Sequence, residues 1–88
     1  MARTLTLLGR AYCHLCDDMR AELLPLLAGR DVALVQVDVD GDPALETRYG
    51  ADVPVLFDGA PDETRILSRW HLDHAKVTAA LAQDAQMR

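Results

Sequence analysis

The spacing of apolar residues changes along this chain, and each change marks an element. Thr4-Leu5-Thr6-Leu7-Leu8 is a short β-prone run closed by Gly9, which predicts a buried strand. From Leu15 the period lengthens. Leu15, Met19, Leu23 and Leu26 or Leu27 recur at helical spacing, with Asp17, Asp18, Arg20 and Glu22 between them. This is an amphipathic helix whose first-turn acids complement the positive end of the helix dipole. Pro25 lies inside the pattern. Proline lacks an N–H and clashes with the preceding turn, so a kink or early break is expected near it, with Gly29 closing the segment.

Val32-Ala33-Leu34-Val35-Gln36-Val37-Asp38-Val39 is nearly continuous in apolar β-formers and predicts a strand buried on both faces. With the elements before it, this strand makes a βαβ unit with parallel strands and a right-handed crossover. Asp42-Pro43 reads as a helix start and Gly50 as a stop, which predicts a helix over 43–49. Val53 to Phe57 is the third strand. Pro54 falls near its beginning, where a missing N–H is tolerated. Asp58 to Asp62 is a turn by composition, and Thr64 to Leu67 returns as an antiparallel partner. A last helix starts at Leu72 or Asp73 and runs to about Gln83, with Val77, Ala80 and Leu81 inward and Gln83 to Arg88 frayed. The element order is β-α-β-α-β-β-α, an α/β fold with a four-stranded mixed sheet and helices on both faces.

The 88 residues fit a single domain, 1–88, which by length and composition alone would be a small two-layer fold. Fourteen acids against nine Lys and Arg give a net charge of −5. That balance opposes nucleic-acid binding and a polybasic membrane anchor. Leu5-Thr6-Leu7-Leu8 is too short for a secretory signal core, and no later run could span a bilayer, so a cytoplasmic location is expected. The chain is also expected to be a monomer.

Candidate chemistry is concentrated at Arg10-Ala11-Tyr12-Cys13-His14-Leu15-Cys16, which holds both cysteines of the chain. A cysteine at a helix N-terminus meets unpaired N–H groups and the positive dipole end, which favour the reactive thiolate. Cys16, one turn on, comes to the same side, so the two sulfurs can close and reopen a small disulfide ring. In a reducing compartment such a pair is more often catalytic or metal-binding than a permanent crosslink. The metal alternative is a zinc site completed by His71 and His74. Those histidines are separated by two residues, closer than the usual three to five or so, and lie over fifty residues away.

Other residues have both an active and an ordinary reading. His14 either favours the Cys13 thiolate or is solvent-facing decoration, and Asp17 and Asp18 oppose the first effect. Tyr12 either covers the disulfide, shapes a docking groove or is a half-buried aromatic. Trp70 and His71 either line the site or, for Trp70, fill the core. Asp38-Val39-Asp40-Gly41-Asp42 is not a calcium loop, because Pro43 and Tyr49 stand where that loop needs Gly and Glu.

Three features together, the CxxC after the first strand, the Asp-rich end of the second and Tyr49-Gly50-Ala51-Asp52-Val53-Pro54-Val55, resemble the glutaredoxin-like members of the thioredoxin superfamily, the small bacterial ones in particular. The resemblance covers nearly the whole chain and implies a thioredoxin-like fold. It also implies a cis bond at Pro54 facing the cysteines, and a backbone clamp for an extended substrate at Val53. By the same resemblance the protein is a thiol–disulfide oxidoreductase acting on protein or glutathione mixed disulfides, with Cys13 attacking and Cys16 resolving. It binds no cofactor, and glutathione is the implied reductant, with Arg10 matching the basic residue three before the nucleophile. Two departures stand out. The family's Gly-Gly turn and following Asp are replaced by Ser68-Arg69-Trp70-His71, and Leu15 stands where an aromatic is usual. They leave open a thioredoxin-reductase-type donor or a dedicated protein partner. The reading from another class is a non-enzymatic binding module, or a CxxC holding zinc or an iron–sulfur cluster.

Overall fold

The computed structural model describes residues 3–86. Strand β1 is Arg3–Gly9, helix α1 His14–Leu27, strand β2 Val32–Asp38, helix α2 Pro43–Tyr49, strand β3 Val55–Asp58, strand β4 Ile66–Arg69 and helix α3 His74–Gln86. Single 3₁₀ turns occupy Val39–Gly41, Gly50–Asp52 and Glu63–Arg65. The four strands form one sheet in the order β2-β1-β3-β4. β1 pairs parallel with β2 and antiparallel with β3, and β3 pairs antiparallel with β4. This is the thioredoxin-like α/β fold.

Alternation along β1 divides the core in two. Leu5 and Leu7 point to one face, where Met19, Leu23 and Leu27 of α1, Val77, Ala80 and Leu81 of α3, and Leu56 and Leu67 of the sheet cover them. Leu8 points to the other face and packs with Val39, Tyr49, Val55 and Phe57, including an edge-to-face contact of Tyr49 and Phe57 with centroids 5.2 Å apart. Arg3 joins β1, β3 and α3 by a two-pronged contact with Asp58, at 3.1 and 3.0 Å, and a 2.7 Å bond to the Ala80 carbonyl.

Several expectations are corrected. β2 is an edge strand rather than one buried on both faces. Val32 and Leu34 pack on the α1 side, while Ala33 and Val35 are exposed. An apolar run marks a strand, but it does not show that a neighbour covers both sides. α1 does not break at Pro25 and continues to Leu27. The proline is exposed and close enough to the helix end that only one late hydrogen bond is lost. β4 begins two residues later than expected, because Asp62 caps the 3₁₀ turn that precedes it, its Oδ1 accepting from Thr64 N–H at 2.9 Å. β3 starts at Val55, leaving Val53 and Pro54 in the loop before it. α3 starts one residue after Asp73, which caps it through Lys76 N–H at 3.0 Å. It runs on to Gln86, and the rest of the expected frayed segment lies outside the described residues.

Candidate active site

Strand register brings four segments to one end of the sheet. β1 and β4 both run antiparallel to β3, with Leu8 and Arg69 each opposite Val55. The residues leaving β1 and those leaving β4 therefore emerge on either side of the Val53-Pro54 loop that enters β3. Gly9 is level with Asp38, so β2 also ends here.

Cys13 is the N-cap of α1. Its backbone is extended, with φ −103° and ψ 105°, and its Sγ accepts the Cys16 N–H at 3.2 Å. The Cys13 carbonyl takes the Asp17 N–H at 3.1 Å, the first backbone bond of the helix. The two sulfurs are joined in a disulfide, with Cα atoms 5.2 Å apart. The cysteines differ in access. Cys13 is partly exposed, whereas Cys16 is only 8% exposed and lies against β1. Gly9 sits beneath it: a Cβ there would stand 3.1 Å from Cys16 Sγ. Next to Cys16 is an open hollow of about 270 Å³, lined by Gly9, Arg10, Asp17 and Arg20 among others.

The Val53–Pro54 peptide bond is cis, and Pro54 is buried. Val53 is extended, with φ −63° and ψ 145°, and neither its N–H nor its C=O takes part in the backbone bonds that hold the surrounding loops. Such a free edge can accept an added strand.

The remaining candidates are placed as follows. Arg10 Nη2 donates to Asp40 Oδ1 at 2.8 Å and lies 3.7 Å from Glu46 Oε2, so its charge is already matched, while its Nε is buried without a partner. His14 is exposed, with Nε2 3.3 Å from Asp18 Oδ2. Tyr12 is fully exposed and neither covers the disulfide nor fills the core. Trp70 is not a core residue either, at 46% exposure. Its N–H donates to the Pro54 carbonyl at 2.8 Å and its indole N–H to the Ala51 carbonyl at 3.2 Å. His74 is bonded to Glu22 at 3.0 Å, and among the described residues no group of three His, Cys, Asp or Glu side chains is placed to hold a metal.

The patterning does not reveal the part of Gly9, and for Trp70 it leaves a place at the site and a place in the core both open. Gly9 reads as a strand terminator, yet a glycine also permits close approach, here by Cys16 seven residues on. Trp70 lies just past a strand end among polar neighbours, a position where a core tryptophan would be unusual.

Comparison with known proteins agrees with this fold. The Glutaredoxin-like domain (DUF836) family profile matches residues 4–82. The chain belongs to that family. It is similar to protein Ne2328 from Nitrosomonas europaea, at 35% identity over 91% of this chain and 92% of that one, with a TM-score of 0.76. Protein XcR50 from X. campestris is 37% identical over 90% of this chain and 96% of its own, with a TM-score of 0.62. Thioredoxin 1 from Thermosipho africanus, at 14% identity, 96% coverage of both chains and a TM-score of 0.63, shares the fold. No curated protein matches significantly. A thioredoxin-like fold with Cys13 and Cys16 in a disulfide gives this glutaredoxin-like chain the parts of a redox couple.

Proposed function

We propose that this glutaredoxin-like protein is a thiol–disulfide oxidoreductase that reduces protein disulfides. The observation that carries the reading is the asymmetry of the pair: a partly exposed Cys13 whose sulfur receives a helix-start N–H, bonded to a buried Cys16. In the reduced protein the same N–H and the helix dipole stabilise negative charge on Cys13 Sγ. That thiolate attacks one sulfur of a substrate disulfide. A Cys13–substrate bond forms, the substrate's S–S bond breaks and the second substrate thiolate leaves. Cys16, as thiolate, then attacks Cys13 Sγ and expels the first substrate sulfur. Two electrons have passed to the substrate and the Cys13–Cys16 disulfide remains. An external dithiol, or two thiols in succession, restores the reduced form.

Val53 offers an extended substrate its N–H and C=O next to Pro54, and Tyr12 stands directly before the nucleophile. His14 contributes at most a weak field, since Asp18 shares its charge in the open. A reductive couple of this kind operates in the reducing cytoplasm. Because Arg10 already holds carboxylates, a thioredoxin-reductase-type protein donor suits the site better than anionic glutathione.

Trapping tests the reading. Cys16→Ser should attack disulfides and accumulate protein mixed disulfides in acid-quenched cells, while Cys13→Ser should accumulate none. Mass spectrometry identifies the attached partners. Partners on Cys13→Ser, or on neither variant under disulfide stress, would overturn the assignment.

A further inference from the structure

The described chain has two non-glycine residues with positive φ, Tyr12 at 58° and Trp70 at 60°. Both are large aromatics, and both belong to the small set of large apolar side chains that remain exposed. A bulky residue in this region of backbone space is an outlier that folded chains retain only where something compensates. Neither ring obtains that compensation from the core. Tyr12 is fully exposed, and Trp70 keeps nearly half its surface in water.

Their placement is equally specific. Tyr12 immediately precedes Cys13 after β1, and Trp70 immediately follows β4, so the two leave the sheet on opposite sides of the Val53-Pro54 loop. Trp70 also fastens that loop at two points, through Pro54 and Ala51. Its ring is thereby held beside Val53, whose N–H and C=O are not engaged in the backbone bonds of the surrounding loops.

We infer that Tyr12 and Trp70 are the specificity-determining walls of the substrate groove, and that the groove takes an extended polypeptide with an apolar residue beside its cysteine. The inference rests on the oxidoreductase reading and names its substrate class. Charge favours the same occupant over a small anionic disulfide. Arg10, His14 and Arg69 around the site each face a carboxylate, of Asp40, Asp18 and Asp52 respectively. Asp17 in the first turn of α1 and Asp18 just after it are both exposed, and the whole chain carries −5. A neutral or basic segment meets no repulsion there, and its apolar side chain gains the exposed indole and phenol faces.

The test uses two peptide disulfides of equal length, each with one Lys, carrying Leu or Gly beside the cysteine. It compares kcat/KM for the native protein, Tyr12→Gly, Trp70→Gly and Trp70→Phe. Glycine removes each ring while relaxing the backbone, so thermal unfolding separates lost folding from lost recognition. The native protein should prefer the Leu peptide about tenfold, a difference held in KM, with the ratio falling toward one in both glycine variants. Trp70→Phe, which keeps an aromatic face but no indole N–H, should recover most of the ratio. Trp70 is the only tryptophan, so titrating Cys13→Ser with the Leu peptide should shift its emission to the blue. A Leu-to-Gly ratio unchanged in folded glycine variants, or an equal loss on both peptides, would overturn the inference while leaving the oxidoreductase reading intact. A native protein that reduces neither peptide would remove that reading itself.

Discussion

Gly9 and Cys16 are in such close apposition that a methyl group on Gly9 would lie 3.1 Å from the Cys16 sulfur and 3.3 Å from its Cβ. The end of β1 therefore serves as a floor for the buried cysteine. It holds Cys16 against the sheet while Cys13, at the helix cap, stays accessible. The division of labour proposed for the two sulfurs depends on this floor, because a raised Cys16 would meet solvent and external thiols directly.

Gly9→Ala tests that role. An extra methyl in a packed contact costs about 1–3 kcal/mol when neighbours cannot move aside. Unfolding midpoints of the oxidised protein should fall accordingly, and alkylation of the reduced variant should show Cys16 reacting at a rate nearer that of Cys13. An unchanged midpoint and unchanged Cys16 protection would mean that the helix start shifts freely and the floor is unimportant.

Pro25 makes the opposite kind of prediction. It lies within α1, exposed, where its missing N–H leaves one carbonyl of the preceding turn unpaired. Pro25→Ala restores the bond and returns some freedom to the unfolded chain, so a net gain of about 1–2 kcal/mol is expected. Urea unfolding at constant slope measures it. A loss of stability would show that the ring itself packs usefully.

Much of this architecture is legible in the sequence, for identifiable reasons. Helix α2 falls on Pro43–Tyr49 as read, because Asp42 caps it with bonds of 3.0 and 3.3 Å to Ala44 and Leu45 N–H and Pro43 fits the first helical position. These are local devices, and local devices are written in adjacent residues. The position of β2 at the sheet edge is not local. It depends on which strands lie beside β1, and Val32 to Asp38 would read the same in either place. Likewise Cys13 and Cys16 announce themselves by spacing, while the hold of Trp70 on Pro54 joins residues sixteen apart through register and a left-handed backbone.

Asp62 supplies a pH dependence. Its Oδ1 accepts first the Thr64 backbone N–H and then the Thr64 hydroxyl, at 2.9 and 2.8 Å, and these bonds hold its carboxyl below the ordinary aspartate range. A folded value below the unfolded one means the stabilisation is present above the unfolded value, about 3.9, and is lost as pH falls through the folded one. The native protein should be more stable than Asp62→Ala at neutral pH, with the gap closing in acid. Paired urea midpoints at several pH values give the comparison. A gap that persists unchanged through acid would place its origin outside the carboxylate.

Arg10 gives the sharpest test of what supplies the electrons. Its guanidinium donates to Asp40 and faces Glu46, so a glutathione carboxylate arriving there would compete with two resident carboxylates. If this competition is what keeps glutathione out, Asp40→Asn with Glu46→Gln frees the cation without moving the backbone. Exposed ion pairs contribute only about 0–1 kcal/mol, so folding should be nearly unaffected. Turnover of a glutathione mixed disulfide should then rise about tenfold in kcat/KM, the value of one charge-assisted contact. Adding Arg10→Met to the pair of substitutions should abolish the gain. This last comparison is needed because removing two acids also makes the whole surface less repulsive to an anion. A gain that survives Arg10→Met would belong to that general field, and no gain at all would show that Arg10 is no part of a glutathione site in this chain.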